Sequence, residues 1–553
     1  MAKAFLIRDP IHGYIQVAAH ERILVDSPVT QRLRRINQTG LADLVYPEAR
    51  TSRFAHSLGA MHLASRFLIA CIENAAEREA LQFFGELEDL ELFKNFSLEL
   101  SDIDDLLFAG RQEGGGLKAA GVVFRHSRLR RSNDKYRRLL GLAEAGLRLA
   151  ALFHDLGHLP FSHDMEFALE EYVGRRKRAQ ERIPKGIEAL VGGPPHEVIG
   201  HNLANLVFQT LLDSQVRPAV RAAFGMARKI LEVMGDFYEQ PRPNAGAIEW
   251  LHSLVDGEVD VDRADYLLRD ARALGFEFAV YDLERLINNL VLVRHPDLGL
   301  ATAIEERGFS ALETFYLSRS RSNQFLVRHH KVAQIAAAFR YVAETVLGTA
   351  DCSHFLDTID RLGRKTQRSN AEARRLLTSF GNLDDPWWLY VLRNTNQAHG
   401  PLFKACCDLI LHRKASLTSM WKRKGDLSQE LKDAANHHLS EHLSDLSMLR
   451  EKLLKANMLV IFHKFRAIGM RLGRAGKSES VMLLKIGEDH LMPISSHSAL
   501  LNSLFESWNE DIHFQVFKLP GETTSSADVV RMLMEPLGDE IAPSTRKPRH
   551  FNH

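Results

Sequence analysis

Histidine and aspartate recur in four short segments of this 553-residue chain, near residues 53, 154, 195 and 260. Two imidazoles combined with two carboxylates form a ligand set suited to a divalent metal that catalyses hydrolysis. Such mixed nitrogen and oxygen ligands favour Mn, Fe, Co, Zn or Ni over Mg. The candidate metal ligands are His56, His154, Asp155 and Asp262.

Hydrolysis of a phosphate ester has further requirements that other residues near these segments could meet. The reaction needs an activated water, positive charge against the phosphate oxygens and an acid that protonates the leaving oxygen. Histidine suits the acid role because its ordinary pKa lies near neutral pH, and the planar guanidinium of arginine matches a phosphate. One His–Asp pair alone occurs by chance in many proteins, so the evidence lies in the four segments together.

Hydrophobic periodicity predicts that helices position most of these residues. Residues 4–17 predict two short strands about a turn. Ser162 is expected to cap the helix that follows it, and Asp26 is expected to cap another. The helices expected to position the candidate residues span 53–72, 143–153, 163–173 and 259–274.

The rest of the chain predicts a mainly α fold with smaller additions. An insertion over 75–140 joins an acidic, leucine-rich stretch to a glycine triplet and a basic run. A helical extension is expected over 349–474, followed by a small α+β lobe over 475–553 whose tail from residue 538 frays. Within the lobe we expect strands at 481–486 and 512–519, and helices at 497–508 and 525–536.

Composition describes an ordinary globular protein with balanced charge. Hydrophobic residues make up 45% and charged residues 25%, and the formal net charge is +1, so no bulk charge draws the chain to nucleic acid or membranes. The four cysteines show no metal-binding or redox spacing, and no signal peptide or membrane-spanning run is recognised. The expectation is a cytoplasmic protein without a membrane partner.

The four segments and their neighbours resemble the HD-superfamily deoxynucleoside triphosphate triphosphohydrolases, in the branch that includes the SAM-and-HD-domain-containing enzyme. The resemblance covers about residues 5–72 and 147–340, and it implies an HD helical core over 1–74 and 141–348 after a short N-terminal β-hairpin. No SAM-like domain precedes it in this sequence. The motifs are DPIHG from Asp9, RFAHSL from Arg53, HDLGHLPFSH from His154, His196-Glu197 and DVDRADYLLRD from Asp260.

The resemblance implies that water attacks the α-phosphorus and releases a nucleoside and triphosphate. It makes His196 the acid for the departing sugar oxygen, with Glu166 as the carboxylate that orients it. It also implies one bound divalent metal and an additional Mg²⁺ with the nucleotide. The phosphate contacts implied by family position are His158, His163, Arg53 and Arg263, and the sugar contacts are Gln38, Tyr266 and Asp270.

The resemblance also implies a nucleotide effector and a homo-oligomer. Asp26, Gln31 and Arg34 match the guanine-recognition positions of the family's allosteric site. Two positions near the sugar depart from the family: Thr39 stands where an apolar residue is expected, and Arg328 where a tyrosine is expected. These departures leave the sugar and base preference open.

Two other functions remain as alternatives. A metal-dependent phosphodiesterase or nuclease acting on single-stranded nucleic acid or a signalling nucleotide would use the basic runs at 125–138 and 175–182 as a path for the strand. A nucleotide-sensing module without turnover would use the insertion and the C-terminal lobe as interaction surfaces. The complete metal ligand set favours an enzyme over this last function.

Overall fold

The computed structural model of the protein shows a mainly helical fold with small sheets at its edges. This agrees with the predicted fold class. The residues that the structure describes are 5–90, 129, 133–191, 193–212, 217–233, 245–364, 366, 368–395, 399–414, 417–422, 450–464, 470–472, 478–480, 482–487, 490–510 and 512–534.

The N-terminal hairpin forms as predicted. Strands β1 (Phe5–Asp9) and β2 (Gly13–Val17) pair antiparallel, with Phe5 opposite Val17. The Asp9 carboxylate accepts the backbone N–H groups of Ile11 and His12 at 2.9 Å each, which fixes the turn. Gly13 has φ +75°, a conformation that favours glycine.

A layer of helices follows the hairpin and forms the first part of the core. The long helix at 53–74 packs on the helices at 133–153 and 261–274, and Ser52 caps it by accepting the N–H of Ala55. These elements are α1 (Ala19–Val25), α2 (Pro28–Arg32), α3 (Arg53–Asn74), α4 (Glu77–Asp89), α5 (Asn133–Phe153), α6 (His163–Arg178), α7 (Lys185–Leu190), α8 (Pro195–Leu212) and α9 (Pro218–Glu232).

The apolar side chains of α3 point into the protein. Among the residues described, α3 is the one helix long and apolar enough to cross a membrane by length and composition, and 83% of its most apolar window is buried inside the protein. A buried core helix passes the same test. The helix stacks on α5, so its apolar surface is covered by other helices.

The two ends of the predicted 75–140 insertion belong to the core. Helix α4 buries Phe83 and Phe84, and the Phe83 ring packs edge-to-face on Trp250. Helix α5 begins at Asn133, ten residues before the expected start at Ala143. The glycine triplet and the basic residues 125–128 and 130–132 lie outside the described residues.

The second half of the core packs on the first and adds a sheet that was not predicted from the sequence. Strands β3 (Leu290–His295) and β4 (Gly299–Glu305) pair antiparallel. The helices are α10 (Ala247–Ser253), α11 (Val261–Leu274), α12 (Leu283–Asn288), α13 (Phe309–Ser322), α14 (His330–Leu347), α15 (Ser353–Leu362), α16 (Asn370–Gly381), α17 (Asp385–Asn394) and α18 (Gly400–His412), with a π-helical turn at Asn323–Val327 between α13 and α14.

The C-terminal lobe has the predicted α+β character. The strand at 483–486 pairs parallel with β4, and the strand at 490–493 pairs on its other side, so the lobe extends the core sheet. The strand at 512–518 pairs with the strands at 418–419 and 458–464. The elements are β5 (Thr418–Ser419), β6 (Met458–Lys464), β7 (Met470–Leu472), β8 (Ser478–Ser480), β9 (Leu483–Ile486), β10 (His490–Pro493), α19 (Ile494–His497), α20 (Ala499–Glu510), β11 (Ile512–Lys518) and α21 (Ser526–Met534). The predicted frayed tail from residue 538 lies outside the described residues.

Candidate active site

Three helices bring the four predicted metal ligands together. His56 lies in the first turn of α3, His154 and Asp155 follow the end of α5, and Asp262 lies in the first turn of α11. The Nε2 atom of His56 lies 3.3 Å from Nε2 of His154, 2.9 Å from Oδ1 of Asp262 and 3.5 Å from Oδ2 of Asp155. The Nε2 atom of His154 lies 3.4 Å from Asp155 Oδ1 and 3.6 Å from Asp262 Oδ1.

Outer partners hold both imidazoles through Nδ1, so each Nε2 atom faces the other candidate ligands. His154 Nδ1 donates to the carbonyl of Ala151 at 2.7 Å, and His56 Nδ1 donates to Asp265 Oδ2 at 2.8 Å. A neutral imidazole that donates through Nδ1 has an unprotonated Nε2. The two rings stand at 79° to each other, so one ion can lie in both ring planes. This arrangement, with outer partners that fix each ring, fits a divalent metal.

The electrostatics of the cluster also favour a cation. Burial disfavours the imidazolium of His56, but hydrogen bonds to Asp262 and Asp265 outweigh burial and raise the pKa of this imidazole to about 10. Burial alone would raise the pKa of the Asp262 carboxyl, yet the two histidines hold that pKa below its usual range. A divalent ion held at Nε2 would take the place of the proton that these carboxylates stabilise on His56.

A second cluster adjoins the metal ligands and centres on the carboxylate of Glu166. Its oxygens lie 3.1 Å from Nδ1 of His163, 3.1 Å from Nδ1 of His196 and 3.2 Å from Nδ1 of His158. His158 also contacts Asp155 Oδ1 through Nε2 at 3.1 Å, which joins the two clusters. All four predicted catalytic residues therefore lie together.

The second cluster is organised for proton chemistry rather than for one metal ion. The rings of His158 and His196 stack at 4.1 Å with only 10° between their planes. Metal bonds to an imidazole lie in the ring plane, so an ion cannot lie in both of these parallel planes. Burial lowers the pKa of His196, but the Glu166 carboxylate outweighs burial and raises it to about 9. His196 is therefore protonated at neutral pH.

His158 has the opposite protonation state. Burial, then the positive charges of Arg53 and His196, lower its pKa to about 4. Burial raises the pKa of the Glu166 carboxyl, but His196 and His163 more than offset this and hold it well below its usual range. The His196 side chain keeps 16% of its surface exposed while the Glu166 side chain keeps 7%. The His196 imidazole is thus the more exposed member of the pair, and a buried carboxylate supports its protonated form.

The two predicted phosphate-binding arginines are held by carboxylates. Arg53 donates to Asp155 at 2.5 Å and through Nε to the hydroxyl of Ser162 at 2.8 Å. Arg263 donates to the carboxylate of Asp260 and to the carbonyl of Gly257. Arg53 therefore lies directly beside a candidate metal ligand, whereas Arg263 closes the start of α11.

The predicted sugar contacts lie next to His56. The Tyr266 ring centre is 6.5 Å from that of His56. The backbone N–H of Gln38 donates to the carbonyl of Thr51, and the Thr51 hydroxyl donates to Asp270 at 3.1 Å. Burial raises the pKa of the Asp270 carboxyl to about 6, opposed by the Thr51 hydrogen bond. These residues line one side of the metal ligands.

The predicted effector positions lie on the surface near α2. Gln31 donates to the carbonyl of Val25 at 2.8 Å, and Arg34 donates to Gln31 at 2.8 Å. The predicted cap at Asp26 is wrong: Ser27, directly before Pro28, caps α2 by accepting the N–H of Thr30. Asp26 remains exposed beside Arg22. Nucleotide binding at Asp26, Gln31 and Arg34 stays a prediction.

The predicted cap at Ser162 is also wrong. Ser162 has φ +57° and ψ −129°, and its side chain makes no capping hydrogen bond to α6. Its hydroxyl accepts the Arg53 guanidinium instead. The residue thus links the turn before His163 to the arginine beside Asp155.

Carboxylates neutralise the basic run proposed as a path for nucleic acid. The four basic residues at the end of α6 each have an acidic partner: Arg175 with Glu344, Arg176 with Glu181, Lys177 with Glu188 and Arg178 with Glu451. These pairs involve the first four residues of the run at 175–182. The structure describes the run at 125–138 only in part. The paired charges offer little attraction for a phosphate backbone.

A buried network behind His56 was missed by the sequence analysis. Asp265, fully buried, accepts hydrogen bonds from His56, His12 and Arg269. The His12 contact is 2.6 Å, and Arg269 also donates to Asp9 at 2.8 Å. Both ends of this network lie in the DPIHG and DVDRADYLLRD motifs, but nothing in their spacing showed that the hairpin turn reaches the back of the metal site.

Comparison with curated proteins finds distant relatives. An uncharacterised protein of Methanocaldococcus jannaschii, MJ1154, is 25% identical over 59% of this chain and 46% of its own length. The uncharacterised protein YwfO of Bacillus subtilis is 23% identical over 90% of this chain and 89% of its own. The deoxynucleoside triphosphate triphosphohydrolase SAMHD1 homolog of Dictyostelium discoideum is 25% identical over 68% of this chain and 58% of its own. The chain thus spans about half the length of two of these three relatives.

Solved structures share the fold. A phosphohydrolase from Bacteroides thetaiotaomicron superposes with a TM-score of 0.50 at 19% identity, covering 93% of this chain and 98% of its own. A search of protein-family models finds no match. The motifs, the helical core and the relatives agree. The chain is a distant relative, at 20–26% identity, of the HD-domain phosphohydrolases related to the SAMHD1-type dNTP triphosphohydrolases.

Proposed function

We propose that the protein is a metal-dependent phosphohydrolase that cleaves deoxynucleoside triphosphates into a nucleoside and triphosphate. The observation that carries this proposal is the direct contact between two clusters, one suited to a metal and one suited to proton transfer. They meet where His158 bridges Asp155 and Glu166. A Lewis acid beside a protonated imidazole is what phosphate-ester cleavage requires.

The metal ligands proposed are His56, His154, Asp155 and Asp262. A divalent ion held by these four residues would supply Lewis-acid activation of the phosphate and of the attacking water. The chain itself orients these ligands through the carbonyl of Ala151, the carboxylate of Asp265 and the guanidinium of Arg53. Asp265 is fully buried, and its carboxylate favours the tautomer of neutral His56 that carries its proton on Nδ1.

The acid proposed for the leaving oxygen is His196. Its Nδ1 atom contacts Glu166 at 3.1 Å, so its Nε2 atom is the position from which a proton can pass to substrate. Neutral His158, stacked beside it, bridges Asp155 and Glu166 through its two ring nitrogens and adds no second positive charge to the pair. His163, the most exposed of the three at 59% of its side-chain surface, would contact the outer phosphates.

The relatives support a nucleotide substrate. Three mammalian proteins named SAMHD1 are 24–26% identical to this chain over about half of its length. Gln38, Tyr266 and Asp270 lie beside His56, on the side where a sugar would sit in this proposal. The departures at Thr39 and Arg328 are the reason to test ribonucleotides as well.

The test is a panel of the eight common dNTPs and NTPs with Mn²⁺, Co²⁺ or Mg²⁺, with and without added GTP, read by chromatography. We expect triphosphate and nucleoside as products, and loss of both in His154→Ala and His196→Ala. Release of monophosphate and pyrophosphate would point to attack at a different bond. No turnover of any of the eight nucleotides would refute the proposal.

A further inference from the structure

The turn between His158 and His163 has a backbone conformation that its residues seldom adopt. Phe161 has φ +58° and Ser162 has φ +57°, and neither is glycine. L-residues in this region are strained, and such strain persists only where surrounding structure enforces it. The turn sets the spacing of two residues that contact Glu166, so whatever holds it also sets the geometry of the catalytic cluster.

The group that holds this turn comes from far along the chain. Asp385, the first residue of α17, accepts the backbone N–H of Phe161 on Oδ1 at 2.8 Å. Its other oxygen accepts the backbone N–H of Asn37 at 2.9 Å. The carboxylate is buried, with the residue 7% exposed. One side chain thus satisfies two backbone donors from two separate segments.

These two segments carry different groups of the proposed site, and they contact each other where the Ser162 hydroxyl lies 3.4 Å from the carbonyl of Asn37. Asn37 directly precedes Gln38 on the sugar side, and Phe161 lies between His158 and His163 on the phosphate side. Arg32 reinforces the connection because its guanidinium donates to the carbonyl of His158 and to the carbonyl of Leu383. The turn between His158 and His163 is therefore connected to the start of α17 twice, once through Asp385 and once through Arg32 and the loop before α17.

We propose that Asp385 is a positioning residue that fixes the strained turn at residues 160–162 against the segment that carries Gln38. It rests on the proposed function for its link to catalysis, but the hydrogen bonds themselves do not depend on which substrate is cleaved. The predicted helical extension over 349–474 thereby supplies part of the catalytic geometry.

The test compares Asp385→Asn with the matched control Asp384→Asn. Asparagine keeps the shape of Asp385 but turns an NH2 group toward one of the two backbone donors, so at least one hydrogen bond is lost. The control Asp384→Asn makes the same chemical change one residue away. Asp384 caps α17 and pairs with Arg35, and asparagine caps a helix equally well. Burial raises the pKa of the Asp385 carboxyl to about 7, so measurements at pH 8 keep it ionised.

Three quantities are measured for each variant: amide hydrogen exchange, steady-state kinetics and bound metal. In Asp385→Asn we expect faster exchange at Phe161 or Asn37 and a fall in kcat of about tenfold or more, as a small misplacement of reacting groups produces. Metal content and KM should change much less. Asp384→Asn should match the wild type in all three.

Wild-type exchange rates in Asp385→Asn would refute the hydrogen bonds, and wild-type kcat with faster exchange would refute the positioning role. If Asp385→Asn does not fold, the wild type alone decides: rapid exchange of the Phe161 and Asn37 amides contradicts the proposal, and slow exchange supports it. If the wild type cleaves no nucleotide, the proposed function fails, while the exchange measurements still test the hydrogen bonds that Asp385 accepts from Phe161 and Asn37.

Discussion

Replacing Glu166 with glutamine should move the pH dependence of catalysis to lower pH. In the wild type, the Glu166 carboxylate raises the pKa of His196 to about 9 from an ordinary value of 6.5. That difference corresponds to about 3 kcal/mol of preferential stabilisation of the imidazolium. Glutamine removes that charge, and burial, the largest influence on this imidazole, then lowers the pKa of His196 toward its ordinary value.

The size of the effect follows from the protonated fraction of His196. An acid with a pKa above its ordinary value is fully protonated at low pH and loses its proton as pH rises through that pKa. At pH 8, a pKa of about 9 leaves roughly 90% of His196 protonated, whereas a pKa of about 6.5 leaves roughly 3%. Activity in Glu166→Gln should therefore fall about 30-fold at pH 8 but change little at pH 6 on this account.

The assay is kcat/KM from pH 5.5 to 10 with the best nucleotide from the panel. The matched control is Glu170→Gln, the same change one turn further along α6. We expect its profile to superimpose on that of the wild type. A uniform loss in Glu166→Gln at all pH values would mean that Glu166 acts only by supporting structure. An unchanged upper limb would show that His196 does not supply the proton.

Three further perturbations test the surroundings of the site. Asp265→Asn should weaken metal binding by about 10- to 100-fold because it releases His56, measured by metal titration in a competing chelator. Gly59→Ala should lower the free energy of unfolding by about 1–3 kcal/mol, since the added Cβ would lie 1.8 Å from Asp265 Oδ1, and denaturant melts would show it. Glu21→Gln should lower the free energy of unfolding by about 3–5 kcal/mol because it leaves the Arg148 charge buried without its carboxylate. A denaturant midpoint equal to that of the wild type would contradict this.

Local signals in the sequence were sufficient to place the metal ligands on their helices. Apolar periodicity predicted helices over 53–72 and 259–274, and the structure has α3 at Arg53–Asn74 and α11 at Val261–Leu274. The two strands and two helices predicted for the C-terminal lobe lie within three residues of β9, β11, α20 and α21, whereas β8, β10 and α19 were not predicted. These features depend on near neighbours in the chain, which is why the sequence alone could show them.

Features set by distant contacts could not be predicted in this way. The Asp385 carboxylate is 224 residues from Phe161, and no periodicity relates the two. The cap predicted at Ser162 failed because tertiary contacts hold its backbone at positive φ. The β3–β4 hairpin, in contrast, was missed although its signal is local, because two apolar runs at 290–293 and 300–304 lie on either side of a short turn.

The proposed activity depends most on one ion shared by His56, His154, Asp155 and Asp262. The most direct measurement is the metal content of purified protein by mass spectrometry, combined with anomalous diffraction at the edge of the metal found. The account predicts one transition-metal ion per chain at these ligands, lost in His154→Ala and retained in His163→Ala. An ion bound elsewhere, or a wild-type protein that binds none when Mn²⁺, Co²⁺ or Zn²⁺ is supplied, would contradict it.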